Sequence, residues 1–467
     1  MSSTTVASPG SGNVSQDEVT ALVSELRTVF ATGRTTSVTW RRAQLEGLLR
    51  LLTENEERIS GAIAADLGRS PMGSFMGDIA PVTAEIKHTL DELGTWAQRR
   101  KVAVPLAQQP GKAWIQPQPK GVVLVIGAWN FPLLLTLHPL VSAIAAGNAV
   151  VVKPSELSSH TATLLAELVP DHLDPAAVKV VNGDVATSTA LLAEDWDHVF
   201  FTGSTRVGRI VAEACARSLT PVTLELGGKS PVIVLADADL DVAARRIAWA
   251  KNVNAGQACI APDYVLVEES VRPALVEKLL AELPKAGAAD PARILNEAHF
   301  DRLVGLLNGH GGHVMGGEQR RDRLQITPAL VTDPDPDAPL MREEIFGPIL
   351  PLVSVGSLQE AIDFVNARPR PLALYVFTES DVAAQRVITS TTSGSVGINQ
   401  LMYQLLVPGL PFGGIGESGS GAYHGQFGFD TFSHLKAVLD KPTGIDPSIT
   451  YPPYGRFATS LLRRLMG

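Results

Sequence analysis

Short apolar runs alternate with helical runs through the middle of the chain, and this alternation constrains the fold more than any other feature. Between residues 121 and 203 the runs are GVVLVIGAW, AVVVKP, AVKVVNG and HVFFTG, each followed by apolar residues at helical spacing. Such uniformly apolar runs are typical of strands in a parallel sheet that helices cover on both faces. A second series runs from PVIVLA to LALYVFT, residues 231 to 378. The pattern therefore predicts an α/β protein with two doubly wound domains.

Helical and extended segments flank these two series. Residues 17–32, 38–66 and 72–98 carry apolar residues at helical spacing. Residues 101–119 are rich in Pro and Gln and alternate in character, which favours a β-hairpin or arm. We therefore expect a small β element beside the two domains.

Composition excludes several classes of protein. A chain of 467 residues is long for one core and should divide into two or three domains. A net charge of −9 argues against a nucleic-acid partner, which needs clustered Lys and Arg. The two cysteines, Cys215 and Cys259, are too few for a disulfide scaffold and are consistent with the reducing cytoplasm. Cys215 lies within a helical run and is interpreted as a packed core thiol.

Neither the two termini nor the most apolar region of the chain is predicted to span a membrane. Residues 1–13 lack the basic start and apolar core of a secretory signal and are interpreted as a disordered lead-in. The most apolar region, residues 121–152, is interrupted by polar residues, prolines and glycines, which argues against a transmembrane segment. The C-terminal GRFATSLLRRLMG is a candidate short basic amphipathic helix, for which packing on the body or disorder is favoured over a membrane surface.

A carboxylate and a cysteine are the candidate reactive groups. Glu225 ends an apolar strand in PVTLELGGKSP, and Cys259 lies in the small-residue turn NAGQACIAP. A thiol among small residues is easily reached by a substrate and by backbone N–H groups. Two-stage chemistry on a carbonyl needs a nucleophile and a base for water, and these two residues are candidates for the two roles.

Two further motifs suit a dinucleotide. HVFFTGSTRVGRIVAEA reads as strand, glycine turn and helix, in which Gly203 and Gly208 allow close backbone approach and Ser204 can face a phosphate. An ordinary strand-to-helix turn is the alternative. In NAVVVKPSE, Lys153 and Glu156 stand at a strand end where they can hold ribose hydroxyls, although a solvated ion pair is the commoner role.

Other candidates are individually ambiguous. Asn130 in GAWNFP can donate to a developing oxyanion or simply satisfy a turn before a proline. Glu344 and Phe346 in EEIFGP can contact a ligand or form a capped turn and a core aromatic. The ten histidines form no ligand set, so no metal site is expected.

Several motifs together resemble one family. ELGGKSP followed by NAGQACIAPDY resembles the active-site signatures of the aldehyde dehydrogenase superfamily. RPLALYVFT and PFGGIGESGSGAYHGQFGFDTFSH resemble its class 3 branch, and the resemblance extends from Pro81 to His434. It implies two Rossmann-like domains, one for the cofactor and one catalytic, with a small β oligomerisation arm and a homodimer. Gly414, Gly416 and Gly419 satisfy GxGxxG, but by position they belong to the family's loop near the catalytic mouth.

The resemblance implies domain boundaries. Residues 14–100 and 118–226 would form the NAD-binding domain and residues 227–410 the catalytic domain. Residues 101–117 and 431–442 would form the arm, residues 411–430 the glycine loop and crossing segment, and residues 443–467 a tail.

It also implies roles for the candidate residues. The turn of Gly203, Ser204 and Gly208 would contact the cofactor pyrophosphate. Lys153 and Glu156 would bind the adenosine ribose, and since a carboxylate repels a 2′-phosphate, NAD should be preferred although NADP stays possible.

Four more residues take implied roles around the ring and the substrate. Glu344 would hold the nicotinamide ribose and Phe346 would contact the nicotinamide ring. Trp249 and Phe131 would line the substrate pocket.

The implied reaction converts an aldehyde to a carboxylic acid. The Cys259 thiolate would attack the aldehyde, and Asn130 with the Cys259 N–H would stabilise the oxyanion of the thiohemiacetal. Hydride loss to NAD would leave a thioester, which water deprotonated by Glu225 would hydrolyse. Class 3 resemblance implies medium-chain aliphatic or aromatic aldehydes. The alternatives are a CoA-acylating dehydrogenase, which generally lacks this glutamate, and a non-catalytic scaffold on the same fold.

Overall fold

The computed structural model describes residues 14–289 and 292–466, so the lead-in predicted for residues 1–13 lies outside the described residues. The helices are α1 (Gln16–Ala31), α2 (Val38–Glu54), α3 (Glu56–Leu67), α4 (Pro71–Ser74), α5 (Ala80–Trp96), α6 (Leu134–Ala146), α7 (Ser159–His172), α8 (Val185–Leu192), α9 (Thr205–Arg217), α10 (Leu240–Asn252), α11 (Arg272–Ala289), α12 (Glu297–Asn308), α13 (Pro339–Arg342), α14 (Leu358–Asn366), α15 (Asp381–Ser390), α16 (Gly425–Thr431) and α17 (Arg456–Met466).

The strands are β1 (Arg100–Val102), β2 (Lys112–Pro119), β3 (Val122–Ile126), β4 (Ala149–Lys153), β5 (Val178–Val180), β6 (His198–Thr202), β7 (Val222–Glu225), β8 (Pro231–Val234), β9 (Tyr264–Glu268), β10 (His313–Gly316), β11 (Gln319–Arg320), β12 (Gln325–Ile326), β13 (Ala329–Thr332), β14 (Ile349–Val355), β15 (Ala373–Phe377), β16 (Ser395–Ile398), β17 (Gly419–Ser420) and β18 (Ser433–Asp440).

The first sheet has the order β17-β7-β6-β3-β4-β5 and is parallel except for β17. The chain runs outward from β3 to β5 and then returns to the other side of β3, which makes the sheet doubly wound. Along β3, Val123 and Val125 pack into one core while Val122 and Leu124 pack into another. Side chains alternate across a strand, so an apolar run places one core on each face of the sheet.

The second sheet has the order β10-β13-β14-β9-β8-β15-β16 and is parallel except for β10. Five residues separate β7, the last parallel strand of the first sheet, from β8, the first strand of the second. Glu225 ends β7 and therefore lies where the chain passes from one sheet to the other.

A third, antiparallel sheet joins β1, β2 and β18. All eight residues of β18 pair with β2, from Ser433 opposite Pro119 to Asp440 opposite Lys112. The two parallel sheets and this small arm confirm the predicted fold class. The domain boundaries drawn from the sequence stay predictions.

Two helical predictions need correction. The helix expected over residues 38–66 is two helices, because Asn55 between α2 and α3 has φ −122° and ψ 20° and leaves the helical region. The helix expected over residues 72–98 begins with a separate short helix and a π-helical segment, Phe75–Ile79. In the described ranges we find no helix that is both long and apolar enough to cross a membrane. The tail helix α17 lies beside the turn at residues 106–108.

Candidate active site

The cysteine turn is held in an unusual backbone conformation. After α10 the chain passes through Asn254, Ala255 and Gly256 with φ of 51°, 54° and 74°. Residues other than glycine rarely adopt this left-handed backbone region, so the surrounding contacts must hold Asn254 and Ala255 in it. The Gln257 side chain donates to the carbonyls of Asn254 and Arg293, each at 3.0 Å. It also accepts from the N–H of Leu295 at 3.0 Å, which fixes the turn that presents Cys259.

Asn130 is tied to the same turn. It follows β3, is buried, and its side-chain amide donates to the Gln257 carbonyl at 3.1 Å. The Asn254 amide in turn donates to the Asn130 carbonyl at 2.9 Å. A carboxamide has two N–H groups, so one remains for a ligand at the cysteine. The structure thus brings Asn130 to the turn of Cys259, more than 120 residues away in sequence.

Glu225 is buried near the thiol. Neither carboxyl oxygen of Glu225 has a hydrogen-bond partner among the residues the structure describes. Burial raises the pKa of this carboxyl well above its ordinary value. An unpartnered buried carboxyl group is costly, and such groups concentrate where chemistry requires them.

The Cys259 thiol is strongly protonated in this environment. Burial, then the charges of Glu344 and Glu225, raise the pKa of Cys259 to about 12, while the N–H groups of Cys259 and Ile260 oppose the shift. Burial and the charge of Asp263 raise the pKa of Glu344 to about 8. Both carboxyls therefore lie within electrostatic reach of the thiol, and the thiol must lose its proton before it can act as the predicted nucleophile.

The Glu344–Phe346 loop is held by an ion pair of Lys229 with Asp263; the ELGGKSP motif pointed to Lys229 as a supporting residue, but sequence reasoning did not find Asp263. Lys229 donates to the Glu343 carbonyl at 2.7 Å and to the Leu340 carbonyl at 2.8 Å, and it pairs with Asp263. Asp263 also accepts from the N–H of Ile345 at 2.9 Å. Asp263 lies four residues after Cys259 in the motif NAGQACIAPDY, and this position was the sequence signal that could have pointed to it.

Arg302 supports this loop from the other side. It donates to the carbonyls of Glu344 and Ile345 at 3.2 and 2.6 Å. No local pattern in α12 points to this role. The ring of Phe346, predicted to contact the cofactor, packs edge-on against Trp129 with 5.5 Å between ring centroids.

The two glycines that follow β6 have no room for a side chain. A Cβ at Gly203 would lie 2.5 Å from the ring of Phe201, and one at Gly208 would lie 2.5 Å from Leu226 Cδ2. The Ser204 hydroxyl caps α9 by accepting from the N–H of Val207 at 3.4 Å. The turn therefore offers a helix N-terminus with a close backbone approach, as a phosphate requires.

Lys153 and Glu156 form an ion pair at the carboxyl end of β4. The Lys153 ammonium, 2% exposed, donates to Glu156 at 2.6 Å. Oε1 of Glu344 and the Thr202 hydroxyl are buried with no hydrogen-bond partner within residues 14–289 and 292–466. Ribose hydroxyls would satisfy such acceptors, so these donors and acceptors fit a nicotinamide dinucleotide.

A cleft of about 380 Å³ opens beside these groups. It is lined by residues of loops and of the start of α9, among them Thr205, Gly227, Glu344, Arg368 and Glu417. The start of α9 and Glu344, where the nicotinamide ribose was predicted to lie, therefore line the same cleft.

The two predicted substrate-pocket residues differ in their surroundings. Phe131 is buried beside Asn130, with the guanidinium of Arg69 4.8 Å from its ring centroid. Trp249 is 37% exposed and packs edge-on against Tyr403, with 5.4 Å between ring centroids. Their role in binding a substrate stays a prediction.

The GxGxxG of the C-terminal loop lies beside Glu225, the predicted base. Gly419 pairs with Glu225 in the antiparallel contact of β17 with β7, and the N–H of Leu226 donates to the Ser418 carbonyl at 3.1 Å. The loop thus borders the strand that carries Glu225. Cys215 is buried in α9, as interpreted from the sequence.

A doubly wound sheet with a glycine turn suited to a phosphate, joined to a second α/β sheet beside the predicted nucleophile Cys259, is the arrangement of a dinucleotide-dependent oxidoreductase. The chain belongs to the aldehyde dehydrogenase family, whose model matches residues 5–438. It is accordingly an NAD(P)-dependent aldehyde dehydrogenase.

Related proteins cover nearly the whole chain. The rat "aldehyde dehydrogenase, dimeric NADP-preferring" is 48% identical over 90% of this chain and 94% of its own length. The mouse aldehyde dehydrogenase family 3 member A2 is 48% identical over 92% and 90% of the two chains. The substrate-bound state of Staphylococcus aureus AldH superposes with a TM-score of 0.93 at 38% identity, covering 96% of this chain and 99% of that one.

Proposed function

We propose that this enzyme oxidises medium-chain aliphatic and aromatic aldehydes to free carboxylic acids with NAD, using Cys259 as nucleophile and Glu225 as the base for hydrolysis. The observation that carries the proposal is the buried Glu225 carboxyl group, unpartnered among the described residues, beside the strained turn of Cys259. A thioester formed at Cys259 needs an activated water for release as an acid.

Each residue then has a defined task. Cys259 loses its proton to solvent water and its sulfur bonds to the aldehyde carbon. The free N–H of Asn130 and the backbone N–H of Cys259 stabilise the oxyanion. A nicotinamide dinucleotide held by these residues would supply the acceptor for the hydride of the adduct. Glu225 then takes a proton from water, and the resulting hydroxide displaces the Cys259 thiolate from the thioester.

The chain's own groups are proposed to hold the dinucleotide at both ends. Lys153 and Glu156 would bind the adenosine ribose, and Gly203, Ser204 and Gly208 the pyrophosphate. Glu344 would accept from the nicotinamide ribose hydroxyls. The Lys229–Asp263 pair fixes that loop by contacts to its backbone.

The preference for NAD is assigned to Glu156. Its carboxylate would repel a 2′-phosphate, although the rat relative is named NADP-preferring. Replacing Glu156 with Gln should raise kcat/KM for NADP relative to NAD. An unchanged ratio would place the selectivity elsewhere.

We also propose a cytoplasmic homodimer built through the arm. Eight-residue β18 is an edge strand of the β1-β2-β18 sheet, and an open edge can pair with another chain. The rat relative is named dimeric. Light scattering with Ala437→Pro, which removes an N–H from that strand, should report a loss of dimer. A dimer that persists would move the interface to another surface.

The test of the reaction is a panel of aldehydes from acetaldehyde through hexanal to benzaldehyde, following reduced cofactor. Cys259→Ala should abolish turnover, whereas the matched Cys215→Ala should retain it because Cys215 only packs in α9. Product analysis with and without coenzyme A distinguishes a free acid from an acyl-CoA. Cofactor reduction that persists in Cys259→Ala would refute the nucleophile, and acyl-CoA as the main product would refute the role of Glu225.

A further inference from the structure

A buried carboxylate outside the groups above lies behind Asn130. Asp78 belongs to the π-helical segment Phe75–Ile79 and is 0% exposed. Its Oδ1 accepts from the N–H groups of Leu133 and Leu134 at 2.9 and 2.8 Å. These are among the N–H groups at the start of α6 that have no partner within the helix. Asp78 thus caps the start of α6 from a segment distant in sequence. The first N–H group that it caps lies three residues after Asn130.

Arg69 completes this anchor. Its guanidinium pairs with the second oxygen of Asp78, and the side chain is 1% exposed. The same guanidinium stacks 4.8 Å from the ring centroid of Phe131, the neighbour of Asn130. A Cβ at Gly77 would lie 2.7 Å from Arg69 Nη1 and 3.0 Å from Phe131 Cε1, so this stack requires glycine there. The buried pair therefore contacts the loop after β3 in two ways: Arg69 packs on the Phe131 ring, and Asp78 binds backbone N–H groups.

The Asn130 loop is then held from two sides. On the cysteine side, Asn254 donates to the Asn130 carbonyl at 2.9 Å. On the other side, Asp78 and Arg69 hold Phe131 and the backbone of residues 133 and 134. A strand-to-helix connection pinned at only one end could move its side-chain amide relative to the thiol. Displacements of this kind, far from the reacting atoms, are costly to catalysis.

We infer that Asp78, held by Arg69, is a positioning residue that sets the Asn130 amide for oxyanion stabilisation. The inference rests on the proposed role of Asn130 in the function above. Asp78 acts through the backbone of the loop and touches neither the thiol nor Asn130 itself.

Two cofactor-independent reactions of Cys259 separate positioning from plain structural support. In acylation by p-nitrophenyl acetate, the Cys259 sulfur bonds to the acetyl carbon through an oxyanion, p-nitrophenolate leaves, and the thiol proton passes to solvent. In alkylation by iodoacetamide, the thiol proton passes to solvent, the sulfur bonds to the methylene carbon, iodide leaves, and no oxyanion forms. Asp78→Ala should slow acylation about 100-fold, while alkylation changes by less than about twofold, because only acylation uses the Asn130 amide.

Matched variants keep this test decisive if Asp78→Ala folds poorly. Asp78→Asn retains an oxygen that can accept from Leu133 and Leu134 but loses the charge facing Arg69, so a smaller loss of acylation is expected. Asp197→Asn is the control: that carboxylate also binds a backbone N–H, of Val122 at 2.7 Å, and an arginine, but at the opposite end of β3. It should leave the ratio of acylation to alkylation unchanged.

Asn130→Ala completes a double-mutant cycle. Asn130→Ala should slow acylation strongly, and adding Asp78→Asn to it should cause almost no further loss, since the amide to be positioned is gone. Additive losses, or parallel losses of acylation and alkylation, would overturn the positioning role of Asp78 and leave the proposed role of Asn130 standing. If Asn130→Ala leaves acylation intact, the proposed oxyanion role of Asn130 fails, and the inference fails with it.

Discussion

The Cys259 thiol should resist alkylation in enzyme without added cofactor, and the resistance should depend on pH in a particular way. Burial is the largest cause of its raised pKa of about 12, and Glu344 is the second. The perturbation is Glu344→Gln, which removes a charge but keeps the shape. Because the pKa of Glu344 is itself raised to about 8, its charge opposes the thiolate only above that pH.

The magnitude follows from the two thiol pKa values. At pH 8 a thiol of pKa about 12 is ionised to about 10⁻⁴, and a thiol with the ordinary pKa of 9.0 to about 10⁻¹. The more basic thiolate is intrinsically more reactive, by about 20-fold for a Brønsted slope near 0.4. Cys259 should therefore react about 50-fold more slowly than an ordinary thiol.

The assay is the second-order rate with iodoacetamide, followed by mass spectrometry in a Cys215→Ala background that leaves Cys259 as the sole cysteine. The rate should rise tenfold per pH unit without a plateau near neutrality. The alkylation rate of Glu344→Gln should equal that of the parent below about pH 8 and should exceed it increasingly as the pH rises above 8. A plateau at neutral pH, or a Gln-to-Glu rate ratio that is constant with pH, would refute the assignment of burial and Glu344 as causes.

Three further changes have expected outcomes. Glu225→Gln should preserve the first-turnover burst of reduced cofactor and lower steady-state turnover about 10²–10⁴-fold, because an amide cannot deprotonate water; rapid mixing measures both. Glu85→Gln should become more stable relative to the parent, by about 3 kcal/mol in urea unfolding, as the pH rises from about 4.5 to about 7, and the difference should stay constant above that. Burial raises the pKa of Glu85 to about 7, so the folded parent holds a proton that the unfolded chain has already lost. Gly208→Ala should cost about 1–3 kcal/mol and raise KM for NAD, because its Cβ would lie 2.5 Å from Leu226 Cδ2.

Each of these has an outcome that contradicts it. Loss of the burst together with turnover would assign Glu225 to the first chemical step. A stability difference at Glu85 that does not change with pH would mean that the carboxyl titrates normally. Gly94→Ala is the control for Gly208, since nothing lies within 4 Å of its Cβ; an equal loss of stability there would remove the steric explanation.

Local sequence predicted the strands well and the helix boundaries less well. HVFFTG became β6 (His198–Thr202) because a short run of apolar, β-branched and aromatic residues suits a buried strand wherever it lies. The break at Asn55 and the π-helical segment around Asp78 carry no comparable signal, because apolar spacing continues across both. The arm illustrates the same limit: alternation predicted β2, whereas residues 431–442, which contain its partner β18, were assigned to the arm only through the family resemblance.

The sequence by itself determined the chemical groups and the family, since Glu225, Cys259 and Asn130 lie in motifs whose local residues mark strand ends and tight turns. Tertiary structure alone decided what surrounds them. The raised pKa of Cys259 depends on burial and on Glu344, 85 residues away, and the Asn130 loop depends on Asp78 and Arg69 from another part of the chain. Desolvation and hydrogen-bond geometry depend on distances in space, and distance along the chain does not encode them.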